Sequence, residues 1–134
     1  MKIRDGFVTN SSSTNFLIIS KKELTEEYLL EKLGFKQDSI IKDAGIQLAN
    51  SILNSISYGL RWYDFDCKNP SYEDILKVFG KKSAEKFKKL KNKGYKFYFG
   101  YTSSDEDYIT CFMTCDYFVI DDKDFYMDGR NCIW

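Results

Sequence analysis

An α+β domain, mainly an antiparallel sheet packed against three or four helices, is what this sequence predicts. Three observations carry that expectation. A short apolar run at Phe16 to Ser20 is followed by segments with helical spacing of apolar residues. From Tyr95 onward the pattern changes to a period of two. Aromatic residues, which bury large areas and favour strands, make up 17% of the chain, with 11 Phe and 10 Tyr. The order is strand, helices, then strands, which separates the α and β parts along the chain. At 134 residues the sequence reads as one domain, 1–134, large enough to bury a core.

The elements follow in order. Phe16 to Ser20 is a continuous apolar strand. Thr25 suits the N-cap of a first helix, Glu26 and Glu27 suit its positive end, and Leu24 can staple onto Leu29. That helix runs through Leu30 and Leu33 and stops at Gly34. A second helix starts near Asp38 or Ser39, with Ile41, Ala44, Leu48 and Ile52 at helical spacing and Ala49, Leu53 and Ile56 beside them. Gly59 ends it. Leu60 to Asp66 reads either as a short strand or as an aromatic loop. Ser71, with Asp74 reaching back to it, starts a third helix after Pro70, and Gly80 breaks or bends it. A lysine-rich helix spans about Ser83 to Lys93, closed by Gly94.

The C-terminal part reads as a β meander. Tyr95, Phe97, Phe99 and Tyr101 form a stripe that should face the core. Thr102 to Asp107 is a polar turn, and Ile109, Cys111, Met113 and Cys115 line one face of the next strand. Tyr117 to Ile120 is a further strand. Asp128-Gly129 suits a tight hairpin turn between Phe125–Met127 and Asn131–Trp134.

The N-terminal run Gly6-Phe7-Val8-Thr9-Asn10-Ser11-Ser12-Ser13-Thr14-Asn15-Phe16 places small polar residues between apolar stretches. Over Arg4 to about Ile19 it resembles the start of a scattered family of short phage, bacterial and archaeal proteins, whose N-termini read Gly-Phe-Val-Ser-Asn, then several serines and a Phe. It departs at Thr9, Thr14 and Asn15, where the pattern has Ser, and each keeps a hydrogen-bonding side chain. The resemblance implies a phage or mobile-element origin and brings no activity with it.

Composition excludes several classes. Net charge is zero, from 20 basic and 20 acidic residues, which argues against a wholesale polyanion binder. No apolar run approaches the ~20 residues that span a bilayer. With no signal-peptide pattern, a cytoplasmic protein is expected. The absence of His removes Ser-His-Asp, Cys-His and His-metal chemistry. Cys67, Cys111, Cys115 and Cys132 contain no Cys-x-x-Cys, so they read as buried free thiols, with no metal and no cofactor.

Two groups of candidate site residues stand out. Lys2, Arg4, Asn10, Ser11, Ser12, Ser13 and Thr14 could cradle an anion through hydroxyls and N–H groups, as in a small nucleotide- or phosphoester-directed protein or enzyme. The same residues also suit a turn that satisfies its own backbone, or a signal read by a processing factor. Residues 61–100 hold 11 basic and 5 acidic residues, a net +6, and residues 101–134 hold 2 and 8, a net −6. Lys82, Lys86, Lys89 and Lys93 therefore form a candidate polyanion face, set against the reading of a solvated helix over Ala84, Phe87 and Leu90. Asp121, Asp122, Asp124 and Asp128 read as a solvated turn at a sheet end. The function expected from the whole is a non-enzymatic accessory protein that binds another protein, of host or phage. Nucleic-acid contact is weak, and the oligomeric state is open.

Overall fold

A computed structural model describes residues 13–35, 42–56, 59–60, 63, 66–103 and 119–133. Four helices and a four-stranded antiparallel sheet make up these residues, a mixed α+β domain. The strands are β1 (Ser13–Ser20), β2 (Lys96–Ser103), β3 (Val119–Asp122) and β4 (Phe125–Ile133). The helices are α1 (Glu26–Leu33), α2 (Lys42–Ser55), α3 (Tyr72–Phe79) and α4 (Lys81–Leu90).

The sheet order is β2-β1-β4-β3. The N-terminal strand therefore lies between β2 and β4, and the C-terminal strands are not a simple meander. Phe16, Leu17, Ile18 and Ile19 are all fully buried. An apolar residue at every position, rather than at every second one, is what a strand covered on both faces requires. Phe16 and Ile18 join Phe125 and Met127 beneath α1 and α2. Leu17 and Ile19 join Phe99 and Tyr126 beneath α3 and α4. The sheet thus has a helical layer on each face.

Local signals set the helix ends. Thr25 Oγ1 accepts from the Tyr28 N–H, and Gly34 closes α1 in the left-handed region at φ 89°. Ser71 and Asp74 form a complete capping box at the start of α3. Gly80, at φ 90°, ends α3 and begins α4. The start expected for the second helix, including Ile41, lies outside the described residues, as does the strand expected over 109–115. The 60–66 segment forms no helix or strand at its described residues Leu60, Tyr63 and Asp66. The lysine helix starts at Lys81 and ends at Leu90, earlier at both ends than its composition suggested. Lys93 stands beyond it, in a turn where Asn92 has φ 71°.

The Asp128-Gly129 hairpin is not formed, because β4 runs straight through it. The turn lies five residues earlier, at Lys123-Asp124, with Asp124 at φ 65°. The Lys21 N–H donates to the Asp124 carbonyl at 3.0 Å, and the Tyr95 hydroxyl donates to the Asp124 carboxylate at 3.2 Å. At Asp128 and Gly129 the chain instead makes a bulge: the partner of Asn15 is Asn131 and that of Leu17 is Asp128. Asp-Gly is a real local turn signal, but pairing along the whole of β1 outweighs it.

Two glycines admit close packing. A Cβ on Gly45 of α2 would lie 2.6 Å from the Phe35 ring, so that ring sits directly on the helix backbone. A Cβ on Gly100 would lie 2.7 Å from the Phe16 ring and 2.9 Å from the Ser55 carbonyl, where α2 ends against β2.

Candidate functional site

Two places in the fold concentrate chemistry. The first is a buried polar cluster between α4 and β4. Asp128 is fully buried, on the same sheet face as Leu17 and Tyr126. Arg130 follows it across the bulge and clamps its carboxylate, with Nε donating to Oδ1 at 3.0 Å and a terminal guanidinium nitrogen donating to Oδ2 at 2.9 Å. The Arg130 backbone N–H also donates to Oδ1, at 2.9 Å. The Ser83 hydroxyl, fully buried in α4, donates to Oδ2 and lies 2.7 Å from the Tyr126 hydroxyl. Ser83 has one proton, given to the carboxylate, so the Tyr126 hydroxyl is the donor to Ser83. Burial pushes the Tyr126 phenol above its ordinary value, and the Asp128 carboxylate holds the Arg130 guanidinium more firmly protonated.

This arrangement corrects the reading of Asp128 as part of a solvated turn. A buried carboxylate needs a paired charge and hydrogen bonds, and Arg130 and Ser83 supply both. The other acidic residues of the group are at the surface or close to it. Asp121 of β3 takes Lys86 at 2.9 Å and Lys82 at 3.8 Å, and its neighbour Asp122 takes Lys32 of α1 at 2.9 Å. Adjacent residues of a strand point to opposite faces, so this short strand fastens Lys82 and Lys86 from one helical layer and Lys32 from the other. The Lys32 hydrogen bond holds the Asp122 carboxyl below its ordinary value and raises Lys32 in return.

The second place is a cleft of about 670 Å³ between α1 and α2. Glu26, Glu27, Leu30, Glu31 and Gly34 line it from the α1 side, and Phe35, Lys42 and Ile46 complete it. The spacing follows from helix geometry. Tyr28 and Leu29 point to the sheet and are buried, so Glu27, Leu30, Glu31 and Gly34 form the stripe turned away from it. On α2, Leu48, Ala49 and Ile52 face the core, leaving Lys42 and Ile46, one turn apart, on the cleft. Leu30, Phe35 and Ile46 are only half-buried there. Among the described residues, Glu26, Glu27, Glu31 and Lys42 take part in no ion pair.

The residues singled out in the sequence fall into separate regions. Lys2, Arg4, Asn10, Ser11 and Ser12 lie outside the described residues. Ser13 and Thr14 belong to β1, which begins three residues before Phe16, paired with Ser103 and Thr102 on β2. Thr14 is fully buried, so it is a strand residue and not part of an open loop. Lys82 and Lys86 are drawn to Asp121, and Lys86 also lies over the Tyr126 ring at 5.7 Å. Lys89 and Lys93 are exposed. Ala84 and Phe87 are buried beneath this helix and Leu90 is half-buried. The stripe from Tyr95 to Phe99 packs on the same core, with Phe97 against Phe87 at 4.9 Å.

Cys67 is a free, half-buried thiol, pushed up by burial. Cys111 and Cys115 lie outside the described residues, and Cys132 lies within β4. Among the described residues no three Cys, Asp or Glu side chains come together as metal ligands, and no helix is long and apolar enough to cross a membrane. Compared with protein-family models, with curated proteins and with solved structures, the chain matches none.

Proposed function

We propose that this chain is a non-enzymatic accessory protein that acts by binding another protein, and that the partner enters the cleft between α1 and α2. The observation that carries this reading is the grouping of half-exposed Leu30, Phe35 and Ile46 in one concave surface, edged by the charged residues Glu26, Glu27, Glu31 and Lys42. Apolar side chains gathered in a hollow with a polar rim mark interaction surfaces in monomeric proteins. The phage or mobile-element origin rests on the wording of residues 4–19.

The other readings draw less support. Asp128 is committed on every side, to Arg130, Ser83 and its own bulge, which leaves no free lone pair facing solvent for acid–base work. Lys82 and Lys86 are partly neutralised by Asp121, which weakens a nucleic-acid face on α4. A phosphoester site at Asn10 to Thr14 loses Thr14 to the buried sheet.

A photo-crosslinking residue at position 46, introduced into the full chain in its own host, tests the proposal against the same residue at position 89. A single protein adduct from position 46, with none from position 89, is the expected result. Adducts from position 89 alone, above all with nucleic acid, would replace the cleft with the lysine face. Binding of inorganic phosphate that is lost on Ser11, Ser12 and Ser13→Ala would favour the phosphoester reading instead.

A further inference from the structure

Resting on that reading, we infer that the segment received by the α1–α2 cleft is a stretch of protein with one large apolar side chain flanked by lysine or arginine. The charges around the cleft carry this step. Among the described residues that line it, Glu26, Glu27 and Glu31 stand against Lys42, a net −2 around an apolar floor of Leu30, Phe35 and Ile46. An apolar anchor suits the floor, and basic flanks suit the rim.

The three glutamates are not equivalent. Glu26 and Glu27 are in the first turn of α1, where the helix dipole already favours a negative charge. Glu31 is in the last turn, where the exposed carbonyl ends disfavour one, and its own carbonyl accepts the closing Gly34 N–H. The nearest basic side chain in sequence, Lys32, turns the other way, to Asp122 on β3. Glu27 and Glu31 are one turn apart on the cleft stripe, a spacing at which one cation reaches both. A partner's lysine or arginine beside Glu31 thus offsets a negative charge that the C-terminal end of α1 disfavours.

A displayed library of random twelve-residue peptides, selected on the immobilised full chain at low and near-physiological salt, tests this. The expected consensus is one Leu, Ile, Phe or Met with Lys or Arg within four positions. Enrichment should fall at least tenfold on Glu27→Lys/Glu31→Lys, and should be unchanged on Glu73→Lys, an exposed acid of α3. Thermal melts of the variants establish that each is folded. A consensus without basic residues, enrichment indifferent to the charge reversal, or no enrichment over Ile46→Glu would each overturn the inference. The position-46 crosslink separates the two levels. If it captures a partner through a neutral or acidic peptide, only the partner's chemistry is wrong. If it captures nothing, the cleft reading falls with it.

Discussion

The two faces of the sheet are covered in different ways. Over Leu17, Ile19 and Tyr126, helices α3 and α4 are joined through Gly80 alone, and they enclose a polar cluster in which Ser83, Tyr126, Asp128 and Arg130 satisfy one another. Over Phe16, Ile18 and Met127, helices α1 and α2 close the core against the sheet but part on their outer side, where three glutamates, unpaired among the described residues, stand around apolar ones. In one layer the buried polar groups satisfy one another, while lysines such as Lys89 stay exposed. In the other, charges ring a concave apolar surface. In a single small domain, a hollow that combines exposed apolar and charged groups is where a partner is best sought.

The sharpest way to break the comparison is through the part the two faces share, the apolar core. Leu48 of α2 is 4% exposed, so Leu48→Asp buries a charge in an apolar cluster. The expected result is loss of folding, by several kcal/mol, seen as absence of a cooperative urea transition. A Leu48→Asp protein that melts like the parent would mean that the α1–α2 layer contributes little.

Next is the polar cluster. Asp128→Ala leaves Arg130 and Ser83 without their acceptor and is expected to cost about 3 kcal/mol, the low end for a broken buried pair, because Arg130 still reaches solvent. Ser83→Ala, which removes the hydrogen bonds to Asp128 and from Tyr126 and little volume, should cost about 1–2 kcal/mol. Equal costs for the two, read from urea midpoints, would show that the charge pairing adds nothing to the hydrogen bond.

Both of those variants can be set beside one on the cleft side. Gly45→Ala brings a gain in helix propensity of up to about 1 kcal/mol, against about 1–3 kcal/mol for pushing back the Phe35 ring. The ring meets the new methyl at its root, not at its tip, so the net effect should be a destabilisation of about 1 kcal/mol together with a changed Phe35 environment. Unchanged nuclear magnetic resonance shifts at Phe35 would contradict the packing.

The smallest effect comes from pH. Asp122 is held below its ordinary value by Lys32, so its stabilising contribution is present above the usual aspartate range and is lost as pH falls through the depressed value. Lys32 is raised, so its contribution is kept below the usual lysine value and lost only as pH rises past it. The melting temperatures of the parent and Asp122→Asn should therefore differ slightly at neutral pH and converge in acid. A gap that widens in acid would reverse the sign of the pairing.

Much of this was legible from local chemistry. Thr25 with Gly34, and Ser71 with Asp74 and Gly80, mark helix ends because capping depends on residues within a turn of each other. The period-two stripe from Tyr95 to Phe99 marks β2 for the same reason. What stayed hidden depends on residues far apart. Nothing near Asp128 says that Ser83, forty-five positions earlier, will lie against it, so Asp128-Gly129 reads as a turn. The unbroken apolar run of β1 fits a strand buried on both faces, yet it does not say which strands flank it. The cleft was invisible for a further reason. Glu26 and Glu27 suit a helix start whatever lies opposite, and only the packing of α2 beside α1 makes them a rim.

The central position of β1 has a consequence for biosynthesis. Ser20 pairs with Lys96 and Ser13 with Ile133, so β1, an inner strand of the sheet, is made well before either of its neighbours. At ~5–20 residues per second, the chain between Ser20 and Ile133 takes roughly 6–20 s to be translated. Until β2 and then β4 have been made, Phe16-Leu17-Ile18-Ile19 has no complete sheet to enter. Long-range pairing of this kind folds slowly and exposes sticky strands. Slower synthesis or a shortage of chaperones will therefore reduce the yield of soluble protein before any change in the stability of the finished fold is felt.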